Sequence, residues 1–155
     1  MKKILILLVA LILTGCSSDK ENDYYFLIDQ LKDAQVSAGN FPFDIEISLD
    51  KITDDEIMYN AIIDNPIEPM KNIRALIIHD KITNNMFPSI GVFDKRVNLI
   101  PNVVDEVNNN VKGIALVGYL PYDGTIENYT GEFKVLVEYT NSDNKFNMVY
   151  YIYKI

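Results

Sequence analysis

The chain has 155 residues, 48% of them hydrophobic, and a formal net charge of −8 at neutral pH. This acidic balance repels phosphate backbones, so we expect no nucleic acid among its partners. With one histidine and one cysteine, a single chain can build neither a histidine-based metal site nor an internal disulfide.

The N-terminus has the layout of a secretory signal peptide. Lys2 and Lys3 form a basic start, an apolar stretch covers residues 4–13, and the small residues Thr14 and Gly15 follow. As a helix, this stretch covers about 15 Å, roughly half of a bilayer core, so a permanent membrane span is disfavoured. We therefore predict that residues 1–15 are a signal peptide that is cleaved from the mature protein.

The apolar stretch ends in Leu13-Thr14-Gly15-Cys16, and Cys16 is the only cysteine. This segment resembles the lipobox of bacterial lipoproteins, a resemblance confined to residues 1–16. It implies cleavage between Gly15 and Cys16 and attachment of diacylglycerol to the Cys16 thiol. The alternative is an ordinary signal peptide followed by an incidental thiol.

A diacyl anchor would fix the mature chain to the membrane. One acyl chain gives reversible binding, and a second adds about 0.8 kcal/mol per buried methylene, so two chains anchor a protein without a spanning helix. The resemblance thus implies a lipid-anchored protein on the extracytoplasmic face of the cell membrane. The abundance of Ile, Asn, Lys and Tyr is typical of an AT-rich genome, and we expect a Gram-positive host.

Removal of the signal peptide leaves 12 basic residues against 22 acidic ones, so the mature chain is more acidic still. Residues 16–23 are mostly polar and predict a flexible, lipidated tether. Residues 24–38 predict an amphipathic helix, because apolar side chains recur every three or four positions and Gly39 follows the last of them. A strand is the alternative, because this segment opens with a continuous apolar run.

Residues 40–155 carry the pattern of an all-β domain. Apolar and polar residues alternate over 43–50, which is typical of a strand with one buried face. Further strands are predicted at 56–64, 73–79, 89–93, 96–100, 112–120, 132–140 and 146–154. Residues 73–78 and 114–117 are apolar almost throughout, which favours central positions in a sheet.

About eight short strands without helical spacers exclude an alternating β/α fold. The best fit is an antiparallel, immunoglobulin-like β-sandwich preceded by one short helix, and a closed β-barrel is the alternative. The paired cysteines and the tryptophan of true immunoglobulin domains are absent from the sequence, so the similarity concerns architecture alone.

The sequence contains few side chains that could act in catalysis, and we predict that the protein is not an enzyme. His79 ends an apolar strand, Ser89 follows a proline, and no Gly-x-Ser-x-Gly motif occurs in the sequence. A lipid-linked Cys16 could not act as a nucleophile. The sequence also lacks glycine-rich phosphate loops and dinucleotide fingerprints, so we expect no cofactor.

Acidic residues recur in the predicted connections between strands. If consecutive strands are antiparallel, the connections at 51–55, 80–88, 101–111 and 141–145 lie at one end of the sandwich. Carboxylates gathered there could bind Ca²⁺, which takes about six to eight oxygen ligands. The candidates are Asp54, Asp55, Asp80, Asp105, Glu106 and Asp143. Their spacing matches no calcium-loop pattern, so solvated acidic turns are the preferred interpretation.

Tyr122 and Tyr129 flank a glycine-containing loop that is too long for a simple hairpin turn. Loop tyrosines supply a large contact area at low entropic cost and are common at binding surfaces. Tyr122, Asp123 and Tyr129 are therefore a candidate binding loop. The preferred interpretation is nevertheless that the rings fold back over the end of the sandwich.

These patterns favour a membrane-anchored surface lipoprotein that acts as a non-enzymatic binding module. Its expected partners are the membrane, through the lipid, and an extracellular or wall-associated protein or polymer. The alternative is a small ligand-binding lipoprotein that serves a transporter or an envelope-maintenance system. The mature chain is too short for two lobes around a cleft, so this alternative requires a compact internal pocket.

Overall fold

The computed structural model describes residues 18–37, 39–81 and 88–155. The predicted signal peptide and the lipobox residues Gly15 and Cys16 lie outside these residues. The described chain forms one α-helix and seven β-strands. They are α1 (Ser18–Asp33), β1 (Asp44–Lys51), β2 (Glu56–Asp64), β3 (Met70–His79), β4 (Ser89–Leu99), β5 (Gly113–Pro121), β6 (Glu132–Thr140) and β7 (Phe146–Lys154).

The strands form two antiparallel sheets that pack face to face, which confirms the predicted β-sandwich over the closed-barrel alternative. One sheet has the order β1-β2-β5 and the other has the order β4-β3-β6-β7. The chain crosses between sheets after β2, β4 and β5, which is the Greek-key connectivity of immunoglobulin-like domains. β4 pairs with β3, whereas in immunoglobulin constant domains the fourth strand belongs to the opposite sheet.

Inward-facing side chains of both sheets form the main core. Along β2, residues alternate between inward and outward positions, and the inward ones are almost fully buried. These are Ile57, Tyr59, Ala61 and Ile63. They belong to one cluster with inward side chains of the other sheet, including Ile77, Phe133 and Val135. Burying a large apolar side chain contributes about 1.5–3 kcal/mol, so this double layer is a major source of stability.

The helix α1 packs on the outer face of the four-stranded sheet and forms a second apolar cluster. Its buried residues are Leu27, Ile28 and Leu31, and the sheet contributes Leu76, Ile78 and Leu136. The helix therefore covers the face of β3 that points away from the main core. Burial on both faces explains the nearly uninterrupted apolar run in this strand.

The helix bounds differ from the predicted 24–38. The helix begins at Ser18 and ends at Asp33, so residues 18–23 of the predicted tether are helical. The sequence did not indicate this extension, because residues 18–23 are polar and do not continue the apolar period of the following segment. After the helix, Ser37 pairs with Tyr150 of β7 through two hydrogen bonds of 3.0 and 2.9 Å. No helix in the described part of the chain is long and apolar enough to cross a membrane.

The fourth and fifth predicted strands form one continuous strand, β4, so the described chain has seven strands where about eight were predicted. Ala75 of β3 pairs with Val92, and Ile73 pairs with Val97. The two pairs are two residues apart along β3 but five residues apart along β4. The extra residues of β4, within 93–96, form a bulge. The polar residues of this bulge resemble a turn when the sequence is considered alone.

β5 occupies an edge of the three-stranded sheet, so its predicted central position is also wrong. Buried and exposed residues alternate along the whole strand. Among the outward residues, Val117 is 38% exposed and Tyr119 is 55% exposed. The apolar residues on both faces of β5 therefore reflect an exposed apolar surface and not burial on two sides.

Candidate functional site

The predicted acidic cluster is divided between opposite ends of the sandwich. The β1–β2 and β3–β4 connections lie at one end and hold Asp54, Asp55 and Asp80. The β4–β5 and β6–β7 connections lie at the other end and hold Asp105, Glu106 and Asp143. The prediction that these carboxylates share one end is therefore wrong.

This error follows from the strand count. Each antiparallel strand carries the chain from one end of the sandwich to the other, so successive connections alternate between the ends. Counting β4 as two strands moved every later connection to the wrong end. The observed single strand places the β5–β6 loop beside the β1–β2 turn, where the Tyr122 N–H donates to the Asp55 carbonyl at 2.9 Å.

Among the described residues, no group of three or more His, Cys, Asp or Glu side chains could hold a metal ion. Two of the candidate carboxylates have well-defined local partners. Asp105 caps a 3₁₀ turn, because its side chain accepts a hydrogen bond from the Val107 N–H at 3.0 Å. Asp54 accepts a hydrogen bond from Lys51 at 2.8 Å, which lowers the pKa of Asp54.

The tyrosines of the candidate binding loop pack against the end of the sandwich. Tyr129 is 2% exposed, and its ring meets Tyr122 edge-on at a centroid distance of 5.4 Å. Burial raises the pKa of Tyr129 to about 12. Tyr122 is half-buried, and its hydroxyl donates to the Thr125 carbonyl at 3.0 Å. Of the three predicted residues, Asp123 is exposed, Tyr122 is partly exposed and Tyr129 is buried, so the Tyr129 ring is folded back over the end of the sandwich.

His79 lies at the same end of the sandwich and points into the core. It is 1% exposed, and its ring centroid lies 5.5 Å from that of Tyr59. Its Nδ1 accepts a hydrogen bond from the Lys81 N–H at 3.2 Å, while its Nε2 has no partner among the described residues. Burial lowers the pKa of His79, because it disfavours the charged ring. This environment is typical of a structural histidine.

We expect acid to destabilise the protein through His79. The pKa of the histidine ring is about 6.5 in the unfolded chain, and burial makes the pKa of His79 lower than this in the folded protein. Stability is therefore full above this pH and declines as the pH falls through the lower pKa of the folded state. Thermal unfolding from about pH 7.5 to about pH 5 should show the decline in the wild type and a flatter profile in His79→Phe. An equal slope in both proteins would contradict the assignment.

A groove lies between the first turns of α1 and the bulge of β4, and we name it the helix–bulge groove. Its volume is about 580 Å³, within the range of about 300–1,000 Å³ that is typical of ligand sites. The lining residues are Asp23, Tyr24, Tyr25, Arg74, Gly91, Phe93, Asp94 and Arg96. An added Cβ at Gly91 would lie 2.1 Å from Cε2 of Phe93, so only glycine lets this ring lie over the strand.

A network of charged side chains links the sheet to the helix at the groove. The Arg74 guanidinium donates from Nε to Glu138 and from Nη1 to Asp23. Glu138 is 1% exposed, so Arg74 neutralises a buried carboxylate while it connects β3 to α1. Arg96 belongs to the bulge and donates to the Asn72 carbonyl at 3.1 Å.

Aromatic rings supply the apolar part of the groove. Tyr24 packs edge-on against Phe93 with centroids 5.0 Å apart, and its hydroxyl forms a 2.7 Å hydrogen bond with Ser89 Oγ. Tyr25 is 53% exposed at the rim. Guanidinium groups, carboxylates and rings together offer donors, acceptors and flat apolar surfaces to a ligand. This combination suits noncovalent binding of a polar molecule.

The sequence alone did not reveal this groove, because its parts are distant along the chain. Asp23 and Arg74 are 51 positions apart, and no local pattern joins them. The one local signal was the polar interruption Asp94-Lys95 in an apolar strand, which is typical of a bulge as well as of a turn. Comparison of the chain with protein-family models, with curated proteins and with solved structures found no match.

Proposed function

We propose that the protein is a lipid-anchored surface lipoprotein and a non-enzymatic binding module, with its ligand in the helix–bulge groove. The observation behind this proposal is the groove itself, where about 580 Å³ of concave space joins two arginines, two aspartates and three aromatic rings. Binding sites of this kind combine apolar surface with a few polar groups that orient the ligand.

The openness of the groove favours one class of ligand. Tyr25 and Asp94 are exposed at its rim, so a segment of a longer molecule can enter and leave without being enclosed. A wall polymer or an extracellular protein suits this shape. A lipoprotein that delivers a small molecule to a transporter would need a more enclosed pocket, so that alternative has less support.

The lipid anchor rests on the sequence and is consistent with the position of the helix. Leu13-Thr14-Gly15-Cys16 resembles a lipobox, and α1 begins two residues after the cysteine, at Ser18. Diacylglycerol on Cys16 would therefore hold the start of α1, and with it the groove, near the membrane surface. A ligand at that position would lie close to the membrane or the inner part of the wall.

The anchor predicts that Cys16→Ser will abolish lipidation. In a Gram-positive host that expresses the chain, metabolic labelling with palmitate should mark the wild-type protein and leave Cys16→Ser unlabelled, because the thiol is the acceptor. The neighbouring substitution Ser17→Ala is the control and should retain the label. Labelling of Cys16→Ser at the wild-type level would refute the lipobox.

The groove predicts that Tyr25→Ser will weaken binding to isolated cell walls of the same host. The chain from Ser17 onward contains every described residue and should co-sediment with the walls. Loss of an exposed aromatic anchor should weaken this binding by about tenfold. Phe146→Ser is the matched control, because Phe146 is 62% exposed but does not line the groove. Equal sedimentation of both variants would place the binding surface elsewhere.

A further inference from the structure

The four edge strands of the sandwich differ in how they are protected from other chains. Natural proteins protect such edges with charges, bulges, proline or a covering segment. β1 carries charges that include Asp44, Glu46 and Asp50, β4 contains the bulge, and β7 is contacted by Ser37. β5 carries no charged residue over its nine positions, and its one proline, Pro121, is the last of them, so residues 113–120 have no such protection.

β5 also presents backbone groups that can accept a further strand. It is the last strand of the β1-β2-β5 sheet, and in the described part of the chain its backbone pairs with β2 alone. The alternate N–H and C=O groups that point away from β2 can therefore pair with a second strand, except at Pro121, which has no N–H. The side chains beside this edge are apolar, with Val117 and Tyr119 exposed.

We propose that two copies of the chain pair antiparallel along β5 and form one continuous six-stranded sheet. Full overlap of the nine residues places Val117 opposite Val117 of the second copy and Ala115 opposite Tyr119. These outward-facing pairs are apolar, which is a favourable cross-strand contact, and the two ends of the overlap pair Gly113 with Pro121. The two-fold arrangement uses the same strand of both copies, so it closes at the dimer.

The charge of the chain selects this edge for self-association. Each copy carries a net charge of −8, so two copies repel each other wherever acidic surfaces meet. Pairing along β1 would bring a second set of acidic side chains beside Asp44, Glu46 and Asp50. Pairing along β5 opposes no like charges within the strand. This dimer does not depend on the lipid anchor or on the groove.

A single introduced cysteine tests both the pairing and its register. The chain from Ser17 onward contains no cysteine. Directly opposed residues of antiparallel strands have Cα atoms about 4.5–5.5 Å apart, which permits a disulfide. Val117→Cys should therefore form a covalent dimer under mild oxidation. Ala115→Cys should stay monomeric on a denaturing gel, because two copies of residue 115 would lie about 13 Å apart. Crosslinking of both variants, or of neither, overturns the proposal.

A charge at the centre of the interface provides a second test. Light scattering should show a dimer for the wild-type chain and a monomer for Val117→Lys, because two lysines would face each other. Ser48→Lys is the matched control, since Ser48 lies in the same row across the sheet but on the opposite edge. It should remain dimeric, and circular dichroism verifies that both variants fold. A wild-type chain that stays monomeric at millimolar concentration overturns the proposal.

Discussion

Replacing Arg74 with methionine is expected to lower the free energy of unfolding by about 3 kcal/mol. Methionine retains much of the apolar stem but removes the ion pairs with Glu138 and Asp23. Glu138 is 1% exposed, so its carboxylate would stay buried without a counter-charge, which is the costly result of breaking a buried pair. Because the Arg74 side chain is 17% exposed, we expect the lower end of the usual range. Denaturant unfolding at neutral pH measures the loss.

Two further variants separate the charge of Arg74 from its packing. Arg96→Met makes the same substitution in the same groove, but Arg96 is exposed, so the change should stay within about 0.5 kcal/mol. The double variant Arg74→Met/Glu138→Leu removes the buried carboxylate together with its partner and should recover most of the stability. A double variant as unstable as Arg74→Met would show that packing, and not charge, accounts for the effect.

Leu31→Ala is expected to lower the free energy of unfolding by about 3 kcal/mol and to loosen α1 from the sheet. Leu31 is fully buried in the cluster that contains Leu76 and Leu136. Truncation removes its contacts and leaves a cavity. Because this cluster is separate from the core between the sheets, the damage should concentrate at the helix. Hydrogen exchange should show that α1 amides lose protection while β2 amides keep theirs.

The control for Leu31→Ala lies in the same helix. Phe26 is 59% exposed, so Phe26→Ala should change stability by no more than about 0.5 kcal/mol. The expectation of local damage would be wrong if Leu31→Ala reduced protection equally in α1 and β2. That outcome would mean that the helix and the sandwich unfold as one cooperative unit.

The alternation of apolar and polar residues located most of the strands, because a strand with one buried face has an apolar residue at every second position. The predicted bounds of β2, β6 and β7 coincide with those observed. This pattern was misleading where the hydrogen bonding between two strands is irregular, as in β4, and where the solvent-facing side of a strand is apolar, as in β5. The bulge of β4 resembles a turn, and the single miscounted strand reversed the ends assigned to all later loops. β5 seemed central because Val117 is apolar, although it faces outward.

The candidate site depends on contacts that local patterns do not record. Periodicity placed Leu27, Ile28 and Leu31 on one face of a helix, but nothing local indicates which surface that face will cover. The groove exists because the helix docks beside the bulge, and its lining residues come from both parts. Tyr129 shows the converse problem. Its loop position is compatible with an exposed ring or with a ring folded back over the sandwich, and only the fold reveals that the ring is buried.

The position of α1 also determines how the protein would respond to mechanical force. A pull through the N-terminal segment reaches α1 before any strand, because the helix precedes the sandwich and rests on its outer surface. Loaded from its first turn, the helix would peel away contact by contact, beginning with Asp23 and Tyr24. Peeling breaks contacts one after another and needs less force than shearing two sheets apart. The helix would thus yield first and absorb the load while the sandwich stays folded.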